Sequence, residues 1–219
     1  MSDFNCYPAS TLFKIKEKKE SSFNKKNQPC NFPFNLDFII YKKNKSCFYG
    51  PGIYTITYNN YVIYIGSYSP INEGNVIDQR WKKHIMTMTN RGYRIGFSSK
   101  IKRNKISPKF KKYFERDKEF RYSDTGTVTT LERLKFAEKN KLLMKKNNSL
   151  INNFEFFYFQ LTNHNVYKSK TKLEELEQSL IEKFKPQCNS LKKGANPNIG
   201  MYKINHIKKD LNKLLETTI

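Results

Sequence analysis

The clearest pattern of hydrophobic and polar positions lies on either side of Asn59-Asn60. Residues 53–58 before the two asparagines and residues 62–65 after them are rich in β-branched and aromatic side chains. Two such runs around Asn-Asn predict a β-hairpin. Residues 154–161 are almost continuous in aromatic residues and other β-formers, so they predict the strand that completes a small sheet with the hairpin.

Apolar residues recur at helical spacing in four other segments of the chain. In the first of them, one side of the predicted helix carries Ile77, Trp81, Ile85 and Met88. A proline at position 186 ends the third. Helices are predicted over residues 75–90, 129–146, 171–185 and 204–215. The strands and helices together indicate an α+β fold.

The charge of the chain points to a partner. The chain has 41 Lys and Arg but only 19 Asp and Glu, which gives a formal net charge of +22. A long polyanion such as nucleic acid is the natural partner. The alternative is a solvated surface on a protein whose composition favours Lys and Asn. The four cysteines form no Cys-x-x-Cys pair, and no apolar run approaches the roughly 18 residues of a membrane span. We therefore expect free thiols, an intracellular, cytoplasmic location and no membrane contact.

The chain divides into three parts by composition. Residues 1–48 form a polar N-terminal arm that is expected to contact DNA or a second subunit. Residues 49–190 form the core, with a basic insertion at about 91–150, and residues 191–219 are a C-terminal extension.

One carboxylate occupies an apolar helix face. Glu177 falls within the stripe formed by Leu173, Leu176, Leu180, Ile181 and Phe184. Desolvating an unpaired charge costs several kcal/mol. Glu177 is therefore predicted either to belong to a buried ion pair or to bind a cation.

Arg80 and His84 are four residues apart and project from one side of the first helix. Arg80 can cap a carbonyl or pair with Glu177, and His84 can be a satisfied core residue. Tyr54 and Tyr64, each taken alone, are typical of half-buried strand tyrosines with hydroxyls in water. Their joint occurrence with an inward Glu and with Asn189 twelve positions later favours a functional site.

These residues resemble the GIY-YIG nucleases. Gly52-Ile53-Tyr54 and Tyr64-Ile65-Gly66 match the naming motif without substitution, and Arg80, Glu177 and Asn189 follow in family order. The pairing of Arg80 with His84 is most similar to the small GIY-YIG type II restriction endonucleases. The resemblance covers about residues 50–190 and leaves the segment 91–150 unmatched.

The resemblance implies a small antiparallel, three-stranded sheet flanked by helices and the hydrolysis of a phosphodiester with one divalent metal. Glu177 would hold Mg²⁺ or Mn²⁺ through hard oxygen contacts. Tyr54 would act as the base, with His84 accepting its proton. Tyr64 and Arg80 would contact the scissile phosphate, and Asn189 would orient a strand or helix end.

The expected function is a site-specific endonuclease that cuts double-stranded DNA as a homodimer, in a bacterium or phage, within a system that includes a cognate DNA methyltransferase. The alternatives are a homing or repair GIY-YIG nuclease and a catalytically inactive nucleic-acid-binding protein. DNA contacts are expected in the basic insertion, where the alternative is a solvated face. The residues are Arg91, Arg94, Lys100, Arg103 and Lys105.

Overall fold

The structure is a computed structural model with mixed α/β architecture. It describes residues 4–17, 36–41, 48–70, 74–89, 95–97, 127–129, 131–140, 148–161, 169–189 and 201–216. The strands are β1 (Phe4–Pro8), β2 (Phe13–Glu17), β3 (Leu36–Ile40), β4 (Gly52–Tyr58), β5 (Tyr61–Tyr68), β6 (Ile95–Phe97), β7 (Thr127–Thr129) and β8 (Phe154–Gln160). The helices are α1 (Ala9–Leu12), α2 (Lys82–Met88), α3 (Leu131–Lys139), α4 (Lys170–Phe184) and α5 (Ile204–Glu216).

The main sheet has four strands in the order β1-β8-β4-β5, and all its pairs are antiparallel. The three-stranded sheet expected from the sequence is therefore wrong. The added strand is β1, which pairs along its whole length with β8 and belongs to the segment interpreted as an N-terminal arm. Its partner is about 150 residues away in sequence, so no local pattern could reveal the pairing.

The predicted hairpin forms with β4 and β5 as its strands. Asn59 and Asn60 both have positive φ, 50° and 66°, as a tight two-residue hairpin turn requires. The pairing register shifts after Ile56. Ile56 lies opposite Tyr64, but the next residue, Thr57, lies opposite Val62. The extra residue, Ile63, makes a bulge in β5, and its carbonyl accepts a hydrogen bond from the backbone of Cys188.

Two separate cores cover the two faces of this sheet. The first, which we call the aromatic face, includes Tyr54, Tyr64, Trp81 and Tyr158 and packs beneath α1, α2 and α3. The second, the aliphatic face, packs beneath α4 and α5. Neighbouring strand residues alternate between the two faces. The aliphatic face is built from Ile53, Val62, Ile65, Phe159, Leu161, Leu173, Leu176, Leu180, Ile181, Phe184, Ile207, Leu211 and Leu215.

The helices follow the predicted periodicity with shifted ends. The first begins with a π-helical turn, Ile77–Trp81, and continues as α2. The third, α4, ends at Phe184, and Lys185, with a φ of 45° and a ψ of 51°, forms a left-handed cap before Pro186. The part of the predicted second helix beyond residue 140 lies outside the described residues.

Within the described ranges, no helix has both the length and the apolar composition needed to cross a membrane. Two of the four cysteines are described, and both are free. Cys188 is buried, whereas Cys6 is exposed on β1.

Candidate active site

Two glycines allow the strands of the site to approach closely. Gly66 lies opposite Tyr54, and a Cβ atom there would be 2.5 Å from the Tyr54 hydroxyl and 2.9 Å from the Tyr64 ring. A Cβ at Gly52 would be 2.4 Å from the carbonyl oxygen of Phe159. Only glycine fits at either position, so the Tyr54 phenol rests directly on the backbone of β5.

Tyr54 and His84 form a buried hydrogen-bonded pair on the aromatic face. Their side chains are 2% and 7% exposed, and 2.7 Å separates the Tyr54 hydroxyl from Nε2 of His84. The ring of Tyr64 stacks on that of Tyr54 at 5.9 Å and lies 4.4 Å from the imidazole. A phenol, an imidazole and a second phenol are therefore in mutual contact.

Burial keeps both members of this pair uncharged. Desolvation raises the pKa of Tyr54 well above 10.0, and the nearby Tyr64 and Glu177 raise it further. Desolvation also lowers the pKa of His84 well below 6.5. At neutral pH the resting pair is consequently a protonated phenol and a neutral imidazole, which can accept a proton at one nitrogen. The Nδ1 atom of His84 is buried without a hydrogen-bond partner.

Arg80 lies on the π-helical turn and is half-buried. Its Nη1 donates a long hydrogen bond, 3.4 Å, to the carbonyl of Gln79. Its positive charge opposes the rise in the pKa of Tyr54 and lowers the pKa of His84. Single π-helical turns within α-helices occur often at functional sites.

Glu177 reaches the site from α4, on the aliphatic face. It is 5% exposed, and its Oε2 accepts a short hydrogen bond, 2.5 Å, from the hydroxyl of Ser67. Ser67 follows Gly66 in β5, so the carboxylate is tied to the strand that carries Tyr64. The negative charge of Glu177 is one of the influences that raise the pKa of Tyr54.

Asn189 fastens the edge strand of the sheet. Its Oδ1 accepts a hydrogen bond from the Ile65 backbone N–H at 2.9 Å, and its Nδ2 donates to the Ile65 carbonyl at 2.7 Å. Because β5 is at the edge of the sheet, both backbone groups would otherwise lack a strand partner. Asn189 thus takes the place of a fifth strand beside the Tyr64-Ile65-Gly66 segment.

Of the six candidate catalytic residues, Tyr54, Tyr64 and His84 are in mutual contact on the aromatic face, and Arg80 lies on the π-helical turn that precedes α2. Glu177 and Asn189 instead bond to Ser67 and Ile65 of β5, from α4 and from the turn after it. The five predicted DNA-contacting residues lie outside the described residues. They are Arg91, Arg94, Lys100, Arg103 and Lys105.

Two further residues of this site were not identified from the sequence. Ser67 shares a strand face with Ile65, which points toward α4, so strand alternation could have indicated it. Arg133 is 8% exposed, and its guanidinium carbon is 4.9 Å from the centre of the Tyr64 ring. Phe136 and Ala137, three and four residues later, are buried, so Arg133 lies on an apolar helix face, as Glu177 does.

A divalent cation fits the donor set at Glu177. Among the described residues, no three His, Cys, Asp or Glu side chains form a cluster that could hold a metal. Mg²⁺ does not need one, since it keeps several waters and commonly binds one or two carboxylates together with phosphate oxygens of a substrate. Glu177 offers one such hard-oxygen ligand, oriented by Ser67.

Comparisons of the chain with protein-family models, with curated proteins and with solved structures give no match. The chemistry of the site therefore rests on its own residues. They provide a proton-accepting pair, a guanidinium and a carboxylate around one strand.

Proposed function

We propose that this protein is a metal-dependent DNA endonuclease of the GIY-YIG type. The observation that carries the proposal is the hydrogen bond between Tyr54 and His84, set against the backbone of Gly66. A buried phenol bonded to a neutral imidazole provides a route for a proton, which a purely structural tyrosine does not need. The carboxylate of Glu177 lies beside the same strand.

The proposed reaction starts with the resting, uncharged pair. The Tyr54 hydroxyl gives its proton to Nε2 of His84, and the resulting phenolate takes a proton from water. The water oxygen attacks phosphorus, and the bond from phosphorus to the 3′ oxygen breaks. The leaving 3′ oxygen takes a proton from solvent, and His84 releases its proton to solvent, which restores the resting pair. A free phenol ionises little at neutral pH. The positive charge of Arg80 favours the phenolate and so lowers the cost of the first step.

Glu177 would hold Mg²⁺ or Mn²⁺, and Ser67 would keep its carboxylate in one orientation. When bound, the cation supplies positive charge that stabilises the pentacovalent phosphate and the leaving oxygen. Arg80 offers paired donors to the scissile phosphate, and Tyr64 offers its hydroxyl.

The substrate in this proposal is double-stranded DNA. The net charge of +22 supports a polyanionic partner. The pairing of Arg80 and His84 supports a site-specific type II restriction endonuclease that acts as a homodimer on a palindromic site. Its partner system would include a DNA methyltransferase, and its location would be the bacterial cytoplasm.

The test is incubation of the purified protein with plasmid and phage DNA in Mg²⁺. Discrete fragments support a restriction endonuclease, and a smear supports a non-specific nuclease. Glu177→Ala removes the carboxylate that is proposed to hold the cation, so the cleavage rate should fall by at least about 1000-fold. The variant should still bind DNA. Glu174→Ala is the matched control, since Glu174 is exposed on the same helix. DNA binding without any cleavage by the wild-type protein would contradict the nuclease proposal.

A further inference from the structure

Arg133 is a buried, positively charged side chain beside the site, and it has no role in the proposed reaction. It comes from α3, within the segment 91–150 that the sequence resemblance leaves unmatched. Its guanidinium makes contacts with three parts of the site. The group lies over the Tyr64 ring, Nη1 donates to Oγ1 of Thr87 at 3.4 Å, and Nε donates to the carbonyl of Cys188 at 3.4 Å.

Each contact leads to a different part of the site. Thr87 lies one turn after His84 in α2, and its hydroxyl donates to the His84 carbonyl at 2.9 Å. Cys188 is adjacent to Asn189, which fastens β5. Tyr64 is in β5 itself. One guanidinium therefore joins the helix of the imidazole, the strand of the second phenol and the turn after α4.

The position of the charge is specific. A cation within about 6 Å of an aromatic centre is attracted to the negative face of the ring. The Tyr64 ring also contacts His84, at 4.4 Å between ring centres. Arg133 thus holds the Tyr64 ring by attraction, and its charge also reaches His84 and Tyr54.

We propose that Arg133 is a positioning residue of this site, a fixed cation that seats Tyr64 against His84 and opposes a resting positive charge on the imidazole. The proposal rests on the proposed nuclease function for its catalytic part only. It makes α3 part of the active centre and not a separate DNA-binding insertion.

The charge of Arg133 has a defined effect on His84. After desolvation, Arg133 is the strongest influence that lowers the pKa of the imidazole, followed by Arg80 and Lys83 from the first helix. Tyr54 and Tyr64 face the imidazole from β4 and β5. Removing the guanidinium should therefore let His84 take up a proton at higher pH.

The first experiment needs no DNA. The protein is labelled with ¹³C-histidine, and the NMR signal of His84, assigned with His84→Gln, is followed with pH. Arg133→Gln should move the midpoint of His84 upward by about one pH unit. Arg133→Lys should move it less, because the charge remains. Lys135→Gln, which removes an exposed charge from the same helix, should leave it unchanged. If Arg133→Gln does not fold, Arg133→Met replaces it because it keeps the apolar stem.

The second experiment measures cleavage by the same variants. Arg133→Gln should lower kcat by about 10- to 100-fold and change the KM for DNA by less than about threefold, with partial recovery in Arg133→Lys. A folded Arg133→Gln or Arg133→Met variant with an unshifted His84 midpoint would overturn the proposal. If the wild-type protein does not cleave DNA, the nuclease function fails, and the NMR titration still decides the role of Arg133.

Discussion

The two faces of the main sheet bury side chains of different chemistry. The aliphatic face packs Leu and Ile side chains of α4 and α5 against the strands. The aromatic face instead buries the phenols of Tyr54, Tyr68 and Tyr158, and each hydroxyl has a partner. Tyr54 bonds to His84, Tyr68 donates to the carbonyl of Gly74, and Tyr158 donates to the carbonyl of Gly50.

This difference indicates which hydroxyl is chemically useful. Tyr68 and Tyr158 bond to backbone carbonyls, which accept hydrogen bonds but cannot take a proton near neutral pH. Tyr54 bonds to an imidazole, which can. From the aliphatic face, the carboxylate of Glu177 bonds to β5 through Ser67. The candidate site thus combines a proton acceptor from one face with a carboxylate from the other.

The largest expected effect is at the hydroxyl that distinguishes the aromatic face. Tyr54→Phe should lower the cleavage rate by about 10²- to 10⁴-fold, because the proton route is lost while the ring still fills the core. Tyr158→Phe is the matched control and should stay within about threefold of the wild type. Comparable losses in both variants, measured as single-turnover rates, would mean that the aromatic face is only structural.

Asn189 tests the junction of the two faces. Asn189→Ala leaves the N–H and the C=O of Ile65 without a partner, which should cost about 2–4 kcal/mol of stability. Urea unfolding measures this loss. Asn140→Ala, which removes a single bond near the end of α3, should cost about 1 kcal/mol or less. Equal costs for the two variants would remove Asn189 from its role in fastening β5.

Ser67 tests the aliphatic side. Ser67→Ala should weaken Mn²⁺ affinity by about 10- to 100-fold, since the hydrogen bond that orients Glu177 is lost. Calorimetric titration with Mn²⁺ in the presence of DNA provides the measurement. Ser179→Ala, on the exposed side of α4, should bind Mn²⁺ as the wild type does. Unaltered affinity in Ser67→Ala would show that Ser67 does not prepare a metal ligand.

The smallest expected effect is in the pH dependence. Protonated His84 cannot accept a proton, and its pKa is held well below 6.5 by burial. The pKa of Tyr54 is raised above 10.0, so the active uncharged pair persists across the neutral range. The rate should vary by less than about threefold between pH 6.5 and 8.5 and fall only at lower pH. A steep fall between pH 8 and 7 would show that His84 is charged in the working range.

Local patterns in the sequence account for the hairpin and the inward acid. Asn59-Asn60 is a turn signal that depends on four neighbouring residues, and Glu177 stands out within the stripe of its own helix. The strand-forming runs also predict Tyr54 and Tyr64 as strand tyrosines that are half-buried. Both side chains are more deeply buried than this prediction, because α2 packs over them.

Other features depend on contacts between distant parts of the chain. The pairing of β1 with β8 places Phe4 opposite Phe159. No local sequence pattern encodes a pairing over this distance. The π-helical turn adds one residue to a helix that is otherwise regular in sequence. Arg133 looks like one of many basic residues until Thr87 and Cys188 are seen beside it.

The most direct measurement is a crystal structure of the Tyr54→Phe variant with Mn²⁺ and a DNA duplex that contains the cleaved sequence. The account predicts an anomalous peak for one Mn²⁺ within about 2.5 Å of a Glu177 oxygen, with the scissile phosphate between this ion and the ring at position 54. A Mn²⁺ ion bound elsewhere, with the phosphate remote from His84 and Glu177, would contradict it.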